Sequence, residues 1–337
     1  MINKFSIILP VRNGGEYLKV CVQSILAQSY PHFNLKILDN NSSDNTVEYL
    51  QSLNDTRIKI YTQQNNLNIN ENWARALEIQ KNEFTTLIGH DDILAPNFLH
   101  EINQLILQHP SATLFHTHFN FIDKDGDIIK ACKPMPTSIN KHQFLELFLS
   151  NKIDSMGTGY VFKSELYDRL GGIPVRYPNL LYADFELWYN FTKLGYEAIS
   201  TENCFSFRLH QSTTTTSSII TKLKAFEVFV NFLIQTQQQD ATTQKEIEKY
   251  SKIYLDSNCQ SMCHKLLKTP ISQRDKSITI KYLITQFKVF AKQLHPSKPY
   301  NPYTNKSIVI ALFIDSNCIT RNLFLKFRKI YSKPILP

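Results

Sequence analysis

Glycine is scarce, at nine in 337 residues, which excludes collagen-like repeats and glycine-rich linkers. Long apolar runs are missing too. The longest, IVIALFI (Ile308 to Ile314), has seven residues and reads as a buried strand or a piece of helix. A membrane span needs ~20 such residues. The six cysteines (Cys21, Cys132, Cys204, Cys259, Cys263, Cys318) are scattered rather than spaced as a disulfide framework. A strand pattern starts by Phe5, so no secretory leader is expected. A reducing cytoplasmic setting, or the inner face of the plasma membrane, is the expectation. CQSMCH (Cys259 to His264) has no second ligand pair at zinc-like spacing, and its side chains are expected to face a helical core.

The composition is that of a globular protein, 42% apolar and 20% charged, with room for one large domain or two smaller ones. Charge is unevenly placed. Residues 216–337 hold 19 Lys and Arg against 7 Asp and Glu, a net of +12, and residues 1–215 hold 18 against 22, a net of −4. A basic C-terminal third on an acidic body suits an anionic partner: a charged acceptor, an acidic membrane surface or nucleic acid. A merely solvated basic face fits the same numbers.

The first ninety residues alternate between two periods. FSIILPV (Phe5 to Val11), FNLKILDN, IKIYTQ and FTTLIGHDD read as buried strands. Between them GEYLKVCVQSILAQS, SSDNTVEYLQSL (capped by Ser43 or Asp44) and NINENWARALEIQ read as helices. Strand and helix alternating four times predicts a doubly wound α/β sheet, which binds ligands at the carboxyl ends of its strands. Arg12 and Asn13, Asp39 and Asn40, and Asp91 and Asp92 stand at those ends. A helix is expected from Pro96 to about Gln108, a strand over ATLFHTHFNFID, and a hairpin turn at DKDGD. FSFRLHQSTTTTSS ends this half in a strand and a Ser/Thr-rich loop. The expected domains are residues 1–215 and a basic, mainly helical region over residues 216–337. Pro296, Pro299 and Pro302 mark a linker within the latter. In the last stretch Ile319, Leu323, Phe327 and Ile330 fall near one helix face, with Arg321, Lys326, Arg328, Lys329 and Lys333 alongside. Such a helix can lie on a membrane surface, or pack on the body or a second subunit.

PVRNGGEYL, SILAQSY, LDNNSSDNT, NENWARAL, GHDD and ADFELW occur in that order over about residues 3–215. This series resembles the GT-A-fold, family-two nucleotide-sugar glycosyltransferases of bacterial surface-glycan synthesis. The resemblance implies a Rossmann-like mixed sheet and an inverting, metal-dependent sugar transfer from a nucleotide donor, UDP by family frequency. Pro10, Val11 and Arg12 would border base and ribose. Asp39 matches the family's base-binding Asp, with Asn40 beside it where the family more often has a second Asp. Arg75 falls where the family often places a basic residue near the donor. GHDD corresponds to the family's DxD, so His90 and Asp91 would face the diphosphate. Asp91, Asp92 and His210 (of FRLH) would hold Mn2+ or Mg2+, ions suited to hard ligands. Gly89 stands where the family often has the first Asp. Asp184 of ADFELW aligns with the base that takes the acceptor's proton, with Glu186 as the fallback. Glu186, Gly157 and Trp188 are the acceptor-side candidates, and Ala183 replaces the family's preceding Glu.

The implied partners are a nucleotide-sugar donor and a glycan or lipid-linked acceptor, with peripheral membrane contact through the basic region; the oligomeric state stays open. Two other classes are weaker. Sugar-nucleotide pyrophosphorylases need a G-x-G-T-R loop that PVRNGGEY lacks. No nucleic-acid module is recognisable. A non-catalytic binding or scaffold protein on a degenerate GT-A domain remains the alternative, raised by the lost first Asp and the Asn-rich loop.

Overall fold

The computed structural model describes residues 2–210, 216–275 and 277–330. Residues 211–215 of the expected Ser/Thr-rich loop, and Lys333, lie outside the described residues. The chain divides into two units, Met1–Phe144 with Ile153–Thr215, and Leu145–Lys152 with Thr216–Pro337.

The first unit is built on a ten-stranded mixed sheet. Strands β1 (Phe5–Val11), β2 (Phe33–Asp39), β3 (Ile58–Tyr61) and β4 (Phe84–Leu87) are parallel and lie in the order β3-β2-β1-β4. Every residue of β1 and β4 is buried. Burial on both faces is why β1 reads as a continuous apolar run rather than an alternation. The crossovers are α1 (Gly15–Leu26), α2 (Thr46–Ser52) and α3 (Ile69–Ala74), the last carried on by a tighter turn over Arg75–Leu77. Successive crossovers step outward from β1 to β3, and the third returns past β1 to β4. This reversal places a topological switch between β1 and β4, where the loops diverge and leave a crevice.

Beyond β4 the sheet continues through β9 (Val161–Lys163), β6 (Leu114–Ile122), β10 (Glu197–Arg208) and β5 (Ile93–Leu94). β9 is antiparallel to both neighbours, and β10 is parallel to β6. β7 (Ile128–Ala131) pairs with β6, and β8 (Ser138–Ile139) with β10. The expected DKDGD turn joins β6 to β7, with Asp123 N–H donating to Asp127 C=O and Gly126 at φ +97°. Helices α4 (Phe98–Gln108), α6 (Ser164–Arg169) and α7 (Ala183–Leu194) belong to this unit, and α5 (Lys141–Leu149) runs from it into the second. Neither Ser43 nor Asp44 is the N-cap of α2: that position is Asn45, which makes no side-chain capping bond, while Asp44 Oδ1, one residue earlier, accepts from Thr46 N–H.

The second unit contains α8 (Ile219–Gln237), α9 (Ala241–Lys268), α10 (Ile280–Leu294), α11 (Lys306–Ser316) and α12 (Cys318–Ile330). Ser218, Asp240, Thr279 and Asn305 each cap the helix that follows through a side-chain oxygen. Phe226, Phe229, Tyr254, Phe287 and Phe290 form its aromatic core. Cys259 and Cys263 are fully buried on α9. IVIALFI forms most of α11, but it is not a buried segment. Ile308 and Ala311 are buried, whereas Val309, Ile310 and Phe313 are exposed. Among the described residues no single helix is long and apolar enough to cross a membrane; α11 and α12 meet that length and composition only together, bent by 114°.

Candidate active site

The floor of the crevice is made by two loops that hydrogen-bond to each other. Asn13, at φ +51°, donates its N–H to Ser42 Oγ, and its Oδ1 accepts from Ser43 N–H. Gly14 N–H donates to Thr46 Oγ1 and Gly15 N–H to Asp44 Oδ2. These four bonds latch the β1–α1 loop to the β2–α2 loop. Asp39 ends β2 and is 2% exposed. Its Oδ2 accepts from Ser42 N–H, while its buried Oδ1 has no hydrogen-bond partner among the described residues. Beneath it lies Arg75, itself 7% exposed. The guanidinium donates to the Asp39 and Tyr61 carbonyls and to Asn72 Oδ1. Burial lowers its pKa against the pull of Asp39.

The wall of the crevice is the turn after β4. Asp92 N–H donates to Gly89 C=O, closing it. An ideal Cβ at Gly89 would lie 2.5 Å from Asp91 Oδ1, so glycine alone leaves room for that carboxylate. β5 then pairs with β10, Ile93 opposite Ser206, which brings the end of β10 back beside the turn. Arg208, 4% exposed, donates from Nε to Asp91 C=O and from its backbone N–H to Asp92 Oδ1. Its other arm donates to the Asp123 and Lys124 carbonyls. Tyr17 packs against it, with the guanidinium carbon 4.6 Å from the ring centre, and also meets the His210 ring edge-on at 5.3 Å.

The two adjacent carboxylates are treated differently. Asp92 is 1% exposed and accepts from Thr158 Oγ1 at 2.7 Å. Burial, and then the charge of Asp91, push its carboxyl well above the usual range. Asp91 is half-buried, and its Oδ2 contacts His210 Nε2. Burial pushes Asp91 up, but the His210 contact and the neighbouring imidazoles outweigh it and leave the carboxyl lowered. The pair thus resolves its repulsion by holding one ionised and one disfavoured carboxylate. Among the described residues no group of three or more His, Cys, Asp or Glu side chains is gathered for a metal ion.

Asp184 stands in the first turn of α7. The chain before it is strained, with Asn179, Leu180 and Tyr182 all at positive φ (55°, 56° and 69°). Non-glycine residues in that region cost energy and cluster at functional sites. Burial pushes the Asp184 carboxyl from 3.8 up to about 6, against backbone N–H bonds that lower it. An ideal Cβ at Gly157 would lie 3.8 Å from the Asp184 Cβ. The next residue, Thr158, is the one bonded to Asp92. The dipeptide 157–158 therefore joins the Asp184 corner to the Asp91–Asp92 turn.

Residues 6–168 match the family described as glycosyl transferase family 2. That stretch of the chain is a domain of this family. Among curated relatives, glycosyltransferase GlyG of Streptococcus pneumoniae serotype 4 is 26% identical over 129 residues, 38% of this chain and 43% of GlyG. The chain thus spans less than half of that relative. WfgD of Escherichia coli, a UDP-Glc:α-D-GlcNAc-diphosphoundecaprenol β-1,3-glucosyltransferase, is 24% identical over 68% of this chain and 86% of its own length. In fold, the chain is similar to Staphylococcus aureus TarS 1-349 in complex with UDP-GlcNAc (TM-score 0.64, 14% identity, 98% of this chain and 93% of TarS 1-349). It is also similar to the mannosyltransferase PcManGT of Pyrobaculum calidifontis in complex with GDP-Man and Mn2+ (TM-score 0.54, 13% identity, 98% and 88%). Both likenesses are of fold.

Within this family-2 domain, the residues singled out from sequence separate into those facing the crevice and those supporting it. His90 and Asp91 are partly exposed on the turn, and Arg12 is exposed beyond β1. Pro10 and Val11 are buried in the strand. Asn40 uses both ends of its amide on the backbone of Leu67, at 2.8 Å each. Arg75 is neither a solvent-exposed helix arginine nor open to a ligand, because its guanidinium is enclosed under Asp39. Trp188 is corrected from the acceptor side to the core. Its ring is 1% exposed, stacks on Tyr160 at 4.5 Å, and donates to Met156 C=O. Glu186, the fallback base, is likewise buried, held by Tyr177 Oη at 2.7 Å and by Arg176. Asp92, expected as a further metal ligand, is buried, with its oxygens accepting from Thr158 Oγ1 and Arg208 N–H. Sequence reasoning missed Arg208, Thr158 and Tyr17. FRLH contained the first, but only the β5–β10 pairing shows that it meets the GHDD turn, and Thr158 arrives there through the pairing of β4 with β9.

Proposed function

We propose that this protein is an inverting glycosyltransferase that moves a sugar from a nucleotide donor, UDP-linked, to a hydroxyl of a glycan or lipid-linked glycan in bacterial surface polysaccharide or lipooligosaccharide synthesis. The observation that carries this reading is the junction at residues 157–158, which sets a carboxylate tuned to about 6 beside the carboxylate turn of the crevice. A base with that pKa is largely ionised at neutral pH yet basic enough to take a hydroxyl proton in the transition state.

Each step then has a residue. Asp39, with its unpaired Oδ1, accepts a base N–H at the crevice floor. Arg75 holds the Asp39 backbone in place. The acceptor hydroxyl sits over Gly157, where the missing side chain leaves space, and gives its proton to Asp184 as it attacks the anomeric carbon. The sugar–phosphate bond breaks on the opposite face. His90 and Asp91 flank the departing diphosphate. Asp91 and His210, in contact with each other, would hold Mn2+ or Mg2+ through a carboxylate oxygen and an imidazole nitrogen. When bound, such an ion neutralises charge on the leaving diphosphate. Asp92 orients this turn through Thr158 and Arg208.

The test is turnover on a panel of labelled nucleotide sugars, with and without EDTA. UDP-sugar turnover that EDTA removes and Mn2+ restores is expected. Turnover insensitive to EDTA overturns the metal assignment, and nucleotide binding without turnover favours the scaffold alternative.

A further inference from the structure

The second unit presents an exposed apolar surface on its last two helices. On α11, Ile308 and Ala311 are buried, while Val309, Ile310 and Phe313 are 40%, 57% and 66% exposed. On α12, Ile319, Leu323 and Phe327 recur every four residues and are 65%, 61% and 60% exposed. Consecutive helices that each hold out an apolar stripe differ from the single exposed apolar residues found on any protein. Neither helix is long enough to span a bilayer, and the 114° bend prevents them from forming one rod.

Charge identifies what covers this face. Between Lys306 and Ile330 the sequence holds five basic residues and one acidic residue, a net of +4. The acid, Asp315, is buried in ion pairs with Arg274 at 2.7 Å and Arg321 at 3.1 Å. Lys306 and Lys326 are exposed. Lys306 lies three and four residues before Val309 and Ile310, and Lys326 three after Leu323, so each shares a face with a stripe. A second copy meeting this face symmetrically would oppose two surfaces of the same sign. An acidic lipid surface satisfies both parts, taking the apolar side chains below the headgroups and the lysines at the phosphates.

We propose that α11 and α12 form a monotopic anchor that lies in the interface of an anionic membrane without crossing it. The proposal is independent of the donor chemistry. Cys318, the first residue of α12, is exposed while the other five cysteines are buried, so the full chain can carry a polarity-sensitive thiol dye there. Mixed with vesicles of equal phosphatidylcholine and phosphatidylglycerol, the labelled protein is expected to float with the lipid and its dye to shift to the blue. Phosphatidylcholine alone produces neither, and about 0.5 M salt weakens both. Ile319→Glu with Leu323→Glu weakens vesicle binding by more than about tenfold, with UDP-sugar turnover in solution unchanged. Absence of the blue shift with the mixed vesicles overturns the proposal, as does equal binding to neutral lipid. Concentration-dependent self-association that the same substitutions abolish assigns the face to a second copy instead. The dye measurement uses the unsubstituted chain and so stands even if the double variant does not fold.

Discussion

Asp184→Asn separates a base from a structural carboxylate because the two readings predict opposite changes in stability. Raising a carboxyl from 3.8 to about 6 corresponds to about 3 kcal/mol of strain on the ionised folded state, at 1.36 kcal/mol per pH unit. The side chain is only half-buried, so solvent screening reduces this to about 1–2 kcal/mol. Asparagine keeps the shape and removes the charge. At pH 7.5 the variant should be more stable, by about 2–8 °C in Tm for a unit of this size. The sign follows from linkage. Between pH 3.8 and about 6 the folded protein holds a proton that the unfolded chain releases, so wild-type stability from this group is present at low pH and lost as pH rises through that window. The Tm advantage of the variant should therefore shrink as pH falls toward 4. Activity should move the other way. Loss of a general base costs about 10²–10⁴-fold, and wild-type kcat/KM should fall tenfold per unit below pH about 6. The assays are calorimetric melting at several pH values and release of labelled nucleoside diphosphate. A variant that keeps full activity, or that melts several degrees lower at pH 7.5, refutes the reasoning.

Three further outcomes follow from the same geometry. Gly89→Ala puts a methyl 2.5 Å from Asp91 Oδ1, so nucleotide-diphosphate affinity measured by calorimetry should drop by roughly tenfold or more while Tm barely moves; unchanged affinity contradicts the steric role. Arg75→Lys cannot reproduce two carbonyl contacts and an amide contact from a planar fork; it should lose about 2–4 kcal/mol in denaturant unfolding, and a neutral result would mean the arginine supports nothing. Trp188→Phe should cost about 1–3 kcal/mol of stability by leaving Met156 C=O unpaired and a gap beside Tyr160, with kcat unchanged per folded molecule. A selective rise in acceptor KM without loss of stability would return this residue to the acceptor side.

What could be seen in the sequence was set by one-dimensional signals. β1 was visible because burial on both faces leaves an almost continuous apolar run over Phe5–Val11, broken only by Ser6, and the other parallel strands repeat it less purely. The site loops were visible because they follow those strands in order. Helical side-chain direction was harder. Spacing put Arg75, Glu186 and Trp188 near the site, yet it could not say that each points into packed protein. Asp91 and Asp92 are adjacent in a turn, where no strand or helix period fixes side-chain direction; that Asp92 is the buried one goes with Thr158, 66 residues later. β5 has only two residues, too few for any periodicity, although it determines where Arg208 and His210 arrive. The exposed side of α11 escaped notice because IVIALFI is apolar all round, and such a run says nothing about which half is covered.

The latch between the loops after β1 and β2 has a thermodynamic consequence. Four hydrogen bonds already fix these loops in the free protein, so a donor nucleotide meets a surface whose ordering entropy was lost on folding. Amides of Gly14 and Ser43 should exchange slowly before any ligand arrives, and nucleotide binding should slow them little further. Affinity for the bare nucleotide then reports contact energy almost undiluted by loop ordering, while the sugar and acceptor ends, bordered by the strained chain before Asp184, are where conformational cost remains to be met.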